Sequence, residues 1–297
     1  MGSFLCFWQH IPEHISPVLV QIGAFQIRYY SLMYIVAFIL TYILVSYRIK
    51  TEHHPYTKET VQNFLFWAII GLIIGARLGY VFFYNLSYYI RHPLEIISPF
   101  DYTNGFRFVG ISGMSYHGGA IGVLAASIFY CRNHNINFWY FADLVCPVIP
   151  LGYTFGRIGN FMNGELYGRA TTVPWGMYFP LDPTHALRHP SQLYEAFFEG
   201  IVLFVLLWLL RKRKIFEGAF LGLYIIGYGL VRFFIEFVRE PDTQLGFVLG
   251  FLSMGQVLCL AMILCGIILL VYRKHKLSSG PFTGPARKTA QKNAKRA

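Results

Sequence analysis

Charge is what this sequence has least of. Only 13% of its 297 residues are Asp, Glu, Lys or Arg, about half the share of a soluble domain, which excludes an ordinary soluble globular protein. Acid is scarcer than base, 14 residues against 25. A net charge of +11 would suit nucleic acid if it were spread over one face. Instead it concentrates in Arg211, Lys212, Arg213 and Lys214 and in an acid-free tail holding Arg273, Lys274, Lys276, Arg287, Lys288, Lys292, Lys295 and Arg296. Short basic segments beside apolar runs mark a membrane surface rather than a nucleic acid partner. The five cysteines form no Cys-x-x-Cys pair, so neither a disulfide framework nor a zinc site is expected. There is no Gly-x-Ser-x-Gly elbow, no His-Glu-x-x-His motif, no phosphate-binding loop and no span with paired aspartates. These absences remove several hydrolase and nucleotide-dependent chemistries. The N-terminus has no basic-then-apolar leader with a small-residue cleavage site, and Cys6 breaks a myristoylation pattern, so the first apolar span is expected to act as the insertion signal.

Long apolar runs are abundant, with 55% hydrophobic residues and a mean hydropathy of +0.47. Seven segments approach the length needed to cross hydrocarbon: 30–47, 61–84, 116–131, 138–155, 192–210, 217–237 and 251–272. Arg48, Lys50 and Lys58 follow the first, Arg132 the third, the Arg-Lys run the fifth and the basic tail the seventh. With seven spans all of these fall on one side, which predicts a cytoplasmic C-terminus and an external N-terminus. The expected fold is an all-α integral membrane protein, a bundle of about seven transmembrane helices. Its membrane domain covers 1–277, and a basic, disordered cytoplasmic tail covers 278–297. Two longer external loops are expected at 85–115 and 156–191. Gly71, Gly75 and Gly79, and Gly118, Gly122 and Ala126, recur every four residues, a spacing that lets helix backbones approach in lipid.

Ionisable residues near spans carry the functional information, because lipid solvates charge poorly. Arg157 opens the polar stretch 157–169, which includes Asn160, Asn163, Gly164, Glu165, Gly168 and Arg169. On a helix, Arg157, Asn160 and Gly164 share a face that offers a guanidinium, an amide and approachable backbone to a phosphate headgroup. Arg232 and Glu236 are spaced for an intrahelical ion pair, with Arg232 facing a bound anion. His117, between Tyr116 and Gly118-Gly119, is the side chain suited to proton transfer near neutral pH. Arg77 is expected to be structural, with Asp143 or Glu199 as candidate partners. Gln192 and Glu195 either line a polar cavity or cap the helix, capping being the favoured role, and Tyr30 and Tyr34 read as interfacial aromatics.

Several blocks carry a resemblance: Tyr30-Ser31-Leu32-Met33-Tyr34, Gly75-Ala76-Arg77-Leu78-Gly79-Tyr80, Gly113-Met114-Ser115-Tyr116-His117-Gly118-Gly119, the stretch 156–169, residues 189–195, and 227–242. Together they resemble the bacterial prolipoprotein diacylglyceryl transferases from about Gly23 to Val271. The resemblance implies transfer of the diacylglyceryl group of phosphatidylglycerol to the lipobox cysteine thiol of a preprolipoprotein, releasing glycerol 1-phosphate, with no metal or diffusible cofactor. It implies the bacterial inner membrane and a site toward the external face. His117, Arg157 and Arg232 are the expected catalytic residues, and Tyr30, Arg157, Asn160, Glu165, Gly168 and Glu236 the expected substrate-binding ones. The segment around 101–111 looks longer than in the family and 170–188 shorter. An anionic-lipid transporter or flippase would use the same arginines, but such proteins often carry an internal repeat, and none is visible here. A non-catalytic scaffold leaves the polar stretch 157–169 without a purpose.

Overall fold

The structure is a computed structural model. It describes residues 2–278 except 24, 99, 102–106, 109–112, 214, 241–246 and 249–251. The basic tail expected from 278 onward, the external segment around 101–111 and Pro241-Asp242 fall wholly or mostly outside the described residues.

The chain is mostly helical. In order it forms α1 (Gly2–Gln9), α2 (Ile11–His14), strands β1 (Val18–Ile22) and β2 (Phe25–Arg28), α3 (Tyr29–Thr51), α4 (Lys58–Tyr84), α5 (Leu86–Arg91) and a 3-10 turn (Pro93–Ile96). There follow β3 (Phe100–Asp101), β4 (Arg107–Phe108), α6 (Tyr116–Asn133), α7 (Phe138–Val145) and α8 (Ile149–Met162). The last elements are α9 (Ser191–Glu195), a π-helical segment (Ala196–Val202), α10 (Leu203–Leu210), α11 (Ala219–Ile235), β5 (Phe247–Val248), β6 (Leu252–Ser253) and α12 (Met254–Ser278). Among the described residues, three antiparallel strand pairs qualify the all-α expectation at its edges.

Among the described residues, four helical stretches are long and apolar enough to cross a membrane: Tyr29–Thr51, Lys58–Tyr84, Ser191–Leu210 and Met254–Ser278. The expected fourth span is not one rod. It is α7 and α8, bent by 52°, and Pro147 explains the break because it supplies no backbone N–H and clashes with the preceding turn. Helix α8 also runs on to Met162, into the region 156–191 expected to be loop. Arg157 and Asn160 therefore stand on a helix. Helix α11, the expected sixth span, has 17 residues.

The chain divides into two compact units, 1–41 with 142–297, and 42–141. In the second unit, α4 packs on α6 through its glycines. A Cβ on Gly75 would overlap the backbone of Gly118 and Gly122, and one on Gly122 would overlap Gly71. Only hydrogen at these positions allows the helices to touch backbone to backbone. Ser115 caps α6 by accepting from Gly118 N at 3.2 Å. Arg77 donates to the carbonyls of Ile96 (2.8 Å), Glu95 (2.6 Å) and Gly113 (3.4 Å), and its guanidinium lies over the Tyr89 ring. Through these carbonyls it pins the chain that follows α5, a structural role as expected. In the last turn of α3, Arg48 binds Glu52 just beyond it (Nη2 to Oε2, 2.8 Å). Burial opposes the charge on Glu52, but the hydrogen bonds and charge of Arg48 outweigh it and hold the carboxyl below its usual range. Burial likewise lowers the basicity of His54.

Among the described residues, the first unit shows two apolar clusters. Cys146, Leu203, Leu207, Phe220 and Tyr228 join α10, α11 and the α7–α8 bend. Asp143 accepts from the backbone N–H groups of Gly218 (2.7 Å) and Phe220 (2.9 Å), so it serves the start of α11, where a negative group is favourable. Phe161, Met177 and Phe179 form the second core beneath Trp8, Ile11 and Ile15. This core organises the segment between α8 and α9, together with short bridges at Ala170–Arg188 and Met177–Arg188.

Candidate active site

Arg157 rises from α8 and Arg232 from α11, and both meet one carboxylate oxygen. Oε2 of Glu195, at the end of α9, lies 2.7 Å from Arg157 Nε and 3.0 Å from Arg232 Nη1. The Arg157 contact is out of line with its N–H, which makes it an ion pair rather than a hydrogen bond. Tyr153, one turn before Arg157, donates its hydroxyl to the same oxygen at 3.2 Å, and its ring lies 4.6 Å beneath the Arg157 guanidinium. Arg232 Nη1 also stands 3.6 Å from Glu199 Oε1, and its Nη2 stands 3.5 Å from Glu236 Oε2. The Arg232–Glu236 pair read from spacing is present, therefore, but it is one contact among three.

Burial gives the cluster its energetics. Glu195 and Glu199 have no exposed surface, while the two arginine side chains each retain 12%. Charge removed from water is costly unless it is paired, and here two guanidiniums on different helices are held by three carboxylates. Glu236 is steadied in turn by Ser253 Oγ, which donates to its Oε1 at 3.2 Å. The remaining exposure of the arginines is what an anionic ligand would reach.

The polar stretch 157–169 forms a relay beside this cluster. Arg157 Nη1 donates to Asn160 Oδ1 at 3.2 Å, and Asn160 Nδ2 donates to Glu165 Oε1 at 2.8 Å. Asn163 adds a second amide on that oxygen at 3.3 Å. Gly164, at φ +69°, turns the chain at the end of α8, the conformation glycine adopts without strain. Gln192 then donates to the Glu165 carbonyl at 2.7 Å and Ser191 to that of Leu166 at 2.9 Å, tying the turn to the start of α9. Gly168 pairs with Arg239 as an isolated bridge, and a Cβ there would overlap Val238 O. Its contribution is close backbone approach. Tyr30, on α3, packs where a Cβ on Gly159 would lie 3.0 Å from its ring, and its hydroxyl is 3.0 Å from that of Tyr34. His117 belongs to the second unit, in the first turn of α6, exposed and edge-on to Tyr116.

Three residues of the cluster, Tyr153, Glu195 and Glu199, were not singled out as site residues by sequence reasoning. Glu195 looked like a helix cap and instead joins the two arginines. Glu199 pairs with Arg232. The available signal was charge balance: two arginines in apolar segments need buried acids, and Glu195, Glu199 and Glu236 are the acids in the neighbouring spans.

Outside the spans, Asp182 is almost fully buried. It accepts from Arg188 Nε at 2.7 Å and Nη2 at 3.0 Å, and from the hydroxyl and backbone of Thr184. The Arg188 hydrogen bonds hold its carboxyl well below the usual carboxylate range, burial notwithstanding. Arg188 also reaches Glu240 at 3.0 Å, closing the segment that follows the relay.

A buried pair of arginines fed by an amide–carboxylate relay is equipped to bind a phosphate and to stabilise charge gathering on it. Comparison with known proteins points the same way. Residues 17–272 match the family model described as prolipoprotein diacylglyceryl transferase. A protein of Chlorobaculum tepidum named phosphatidylglycerol–prolipoprotein diacylglyceryl transferase is 53% identical over 277 residues, covering 93% of this chain and 96% of its own. Relatives with the same name from Campylobacter jejuni and Wolinella succinogenes are each 44% identical, over 91% of this chain and 98% and 97% of theirs. The chain belongs to the prolipoprotein diacylglyceryl transferase family.

Proposed function

We propose that this chain transfers the sn-1,2-diacylglyceryl group of phosphatidylglycerol to the lipobox cysteine thiol of a preprolipoprotein, the first step of bacterial lipoprotein maturation. The observation that carries the site assignment is the convergence of Arg157 and Arg232 on Glu195 Oε2. The thiol sulfur attacks the glyceryl carbon that bears the phosphodiester. A C–S bond forms as the C–O bond breaks, and the electron pair departs with the phosphate of glycerol 1-phosphate. Negative charge grows on that leaving group, and two guanidiniums in a site with little water are worth most at that moment.

A thiol is a poor nucleophile until it loses its proton. His117 is assigned to accept that proton, supported by its chemistry and by its place in the block Ser115-Tyr116-His117-Gly118. Asn160 and Glu165 hold Arg157 in register through their hydrogen bonds, Glu236 orients Arg232, and Tyr30 and Gly168 complete the substrate-binding set.

Seven spans with an external N-terminus and a cytoplasmic C-terminus, in the bacterial inner membrane, place this chemistry toward the external face. The basic segments after α3, α6, α10 and α12 support that orientation. The catalytic domain spans 1–277 and the basic tail 278–297. Purified protein given phosphatidylglycerol and a lipobox peptide will yield a thioether-lipidated peptide and glycerol phosphate. Headgroup movement across vesicles without glycerol phosphate release would instead mark a transporter.

A further inference from the structure

The span Ser191–Leu210 is not a uniform α-helix. Between α9 and α10 it opens into the π-helical segment Ala196–Val202, in which each carbonyl bonds the fifth residue on instead of the fourth. Such turns are less favourable than α-helix and persist where a side chain enters the hydrogen-bond ladder. The entrant here is Thr154 of α8, itself buried. Its hydroxyl proton is shared between Ala196 O at 3.2 Å and its own helix at Pro150 O, 3.3 Å. Gly200 makes the notch: a Cβ there would overlap Thr154 Oγ1 and stand 3.0 Å from Thr154 Cβ.

The wider turn changes where side chains point. In an α-helix Glu199 would stand roughly 40° past Glu195. The π segment swings it back and retards everything beyond by about 100°, the rotation of one residue. The result is two fully buried carboxylates on one guanidinium nitrogen, Arg232 Nη1. Glu199 meets Arg232 at 3.6 Å, and the turn that carries it decides whether it can reach that far.

We propose that Thr154 and Gly200 are positioning residues: they lock the π-turn that sets Glu199 against Arg232 and thereby fix the aim of Arg232 at the substrate phosphate. This rests on the reading of Arg232 as phosphate-facing. Neither residue touches substrate, and their effect travels through Glu199.

The test is kinetic. Thr154→Val keeps the shape and removes the hydroxyl. It lowers kcat roughly 10- to 100-fold, the scale of a small misplacement of a catalytic group, while KM for the lipobox peptide and thermal unfolding in detergent stay near wild type. Thr154→Ser restores kcat to within about twofold, because the hydroxyl returns. Thr154→Val combined with Glu199→Gln is no slower than the slower single variant, since both act through one carboxylate. A wild-type kcat for Thr154→Val, or effects that multiply in the double variant, overturns the inference. Should Thr154→Val fail to fold, Glu199→Gln decides alone, because it leaves the notch intact: a wild-type kcat there overturns the inference too. Arg232→Ala in the same assay separates the levels. An inactive Arg232→Ala beside an active Thr154→Val removes only the positioning role, whereas an active Arg232→Ala removes the reading beneath it.

Discussion

Glu195 holds Arg157 and Arg232 by the same oxygen atom, at 2.7 and 3.0 Å. Two like charges from separate helices would otherwise repel across a low-dielectric interior. The shared carboxylate converts that repulsion into a fixed spacing between them. Because Glu195 is fully buried, its removal takes from Arg157 the carboxylate it pairs with and leaves Arg232 to Glu199 and Glu236. Glu195→Ala is expected to lower kcat by at least about 100-fold and to weaken folding, measured by glycerol phosphate release and by thermal unfolding in detergent.

Arg157 pairs with Glu195 by charge, and two further contacts depend on its planar fork: Nη1 to Asn160 and its face on Tyr153. Lysine keeps the charge and loses both geometries. Arg157→Lys is therefore expected to lose about 100-fold in kcat/KM while retaining its fold. Activity within twofold of wild type would show that charge alone suffices.

His117→Gln keeps size and hydrogen bonding and removes basicity. The expected outcome is a fall in kcat of about 100-fold or more that raising the pH partly offsets, as bulk solvent comes to ionise more of the thiol. A near-normal rate at pH 7 would exclude His117 as the base.

The Asp182–Arg188 pair makes a pH prediction. Its carboxyl is held below the usual range by Arg188, so the ionised pair stabilises the fold fully above the pKa of an unfolded aspartate, about 4. That stability is lost as pH falls through the lower folded value. Asp182→Asn should cost about 2 kcal/mol at neutral pH and shrink the loss of stability that wild type shows below pH 4, as read by acid-induced unfolding. An unchanged acid transition would remove this role.

The glycine contact between α4 and α6 makes a packing prediction. Gly75→Leu must push Gly118 and Gly122 away, and overpacking of this kind costs about 1–3 kcal/mol. A lowered unfolding temperature is expected, and an unchanged one would show that the helices have room to separate.

Much of this site is legible in the sequence, because lipid makes charge conspicuous. Arg157, Arg232 and Glu236 stand out in apolar surroundings, Asn160 follows from its spacing after Arg157, and Glu165 from the resemblance of the block that holds it. Glu195 is hidden because Pro190-Ser191 gives it the look of a helix start, and only charge balance across separate spans assigns it to the arginines. The bend between α7 and α8 has a visible cause in Pro147, yet hydropathy averages over it. The π-turn leaves no mark at all: Thr154 and Gly200 are common residue types in membrane helices, and what they do depends on the facing helix. The reach of α8 to Met162 is masked by the glycines at 156 and 159, which read as loop but here sit within a helix, Gly159 beside Tyr30.

The claim that two arginines act on one phosphate is tested most directly by the initial rate of glycerol phosphate release from phosphatidylglycerol in the presence of a lipobox peptide. The rate is compared among Arg157→Ala, Arg232→Ala and the double variant, each first shown to be folded. Both single variants are expected to fall to nearly the same background, with the double variant scarcely slower, as for groups serving one charge. A folded Arg157→Ala or Arg232→Ala that releases glycerol phosphate at the wild-type rate would contradict that claim.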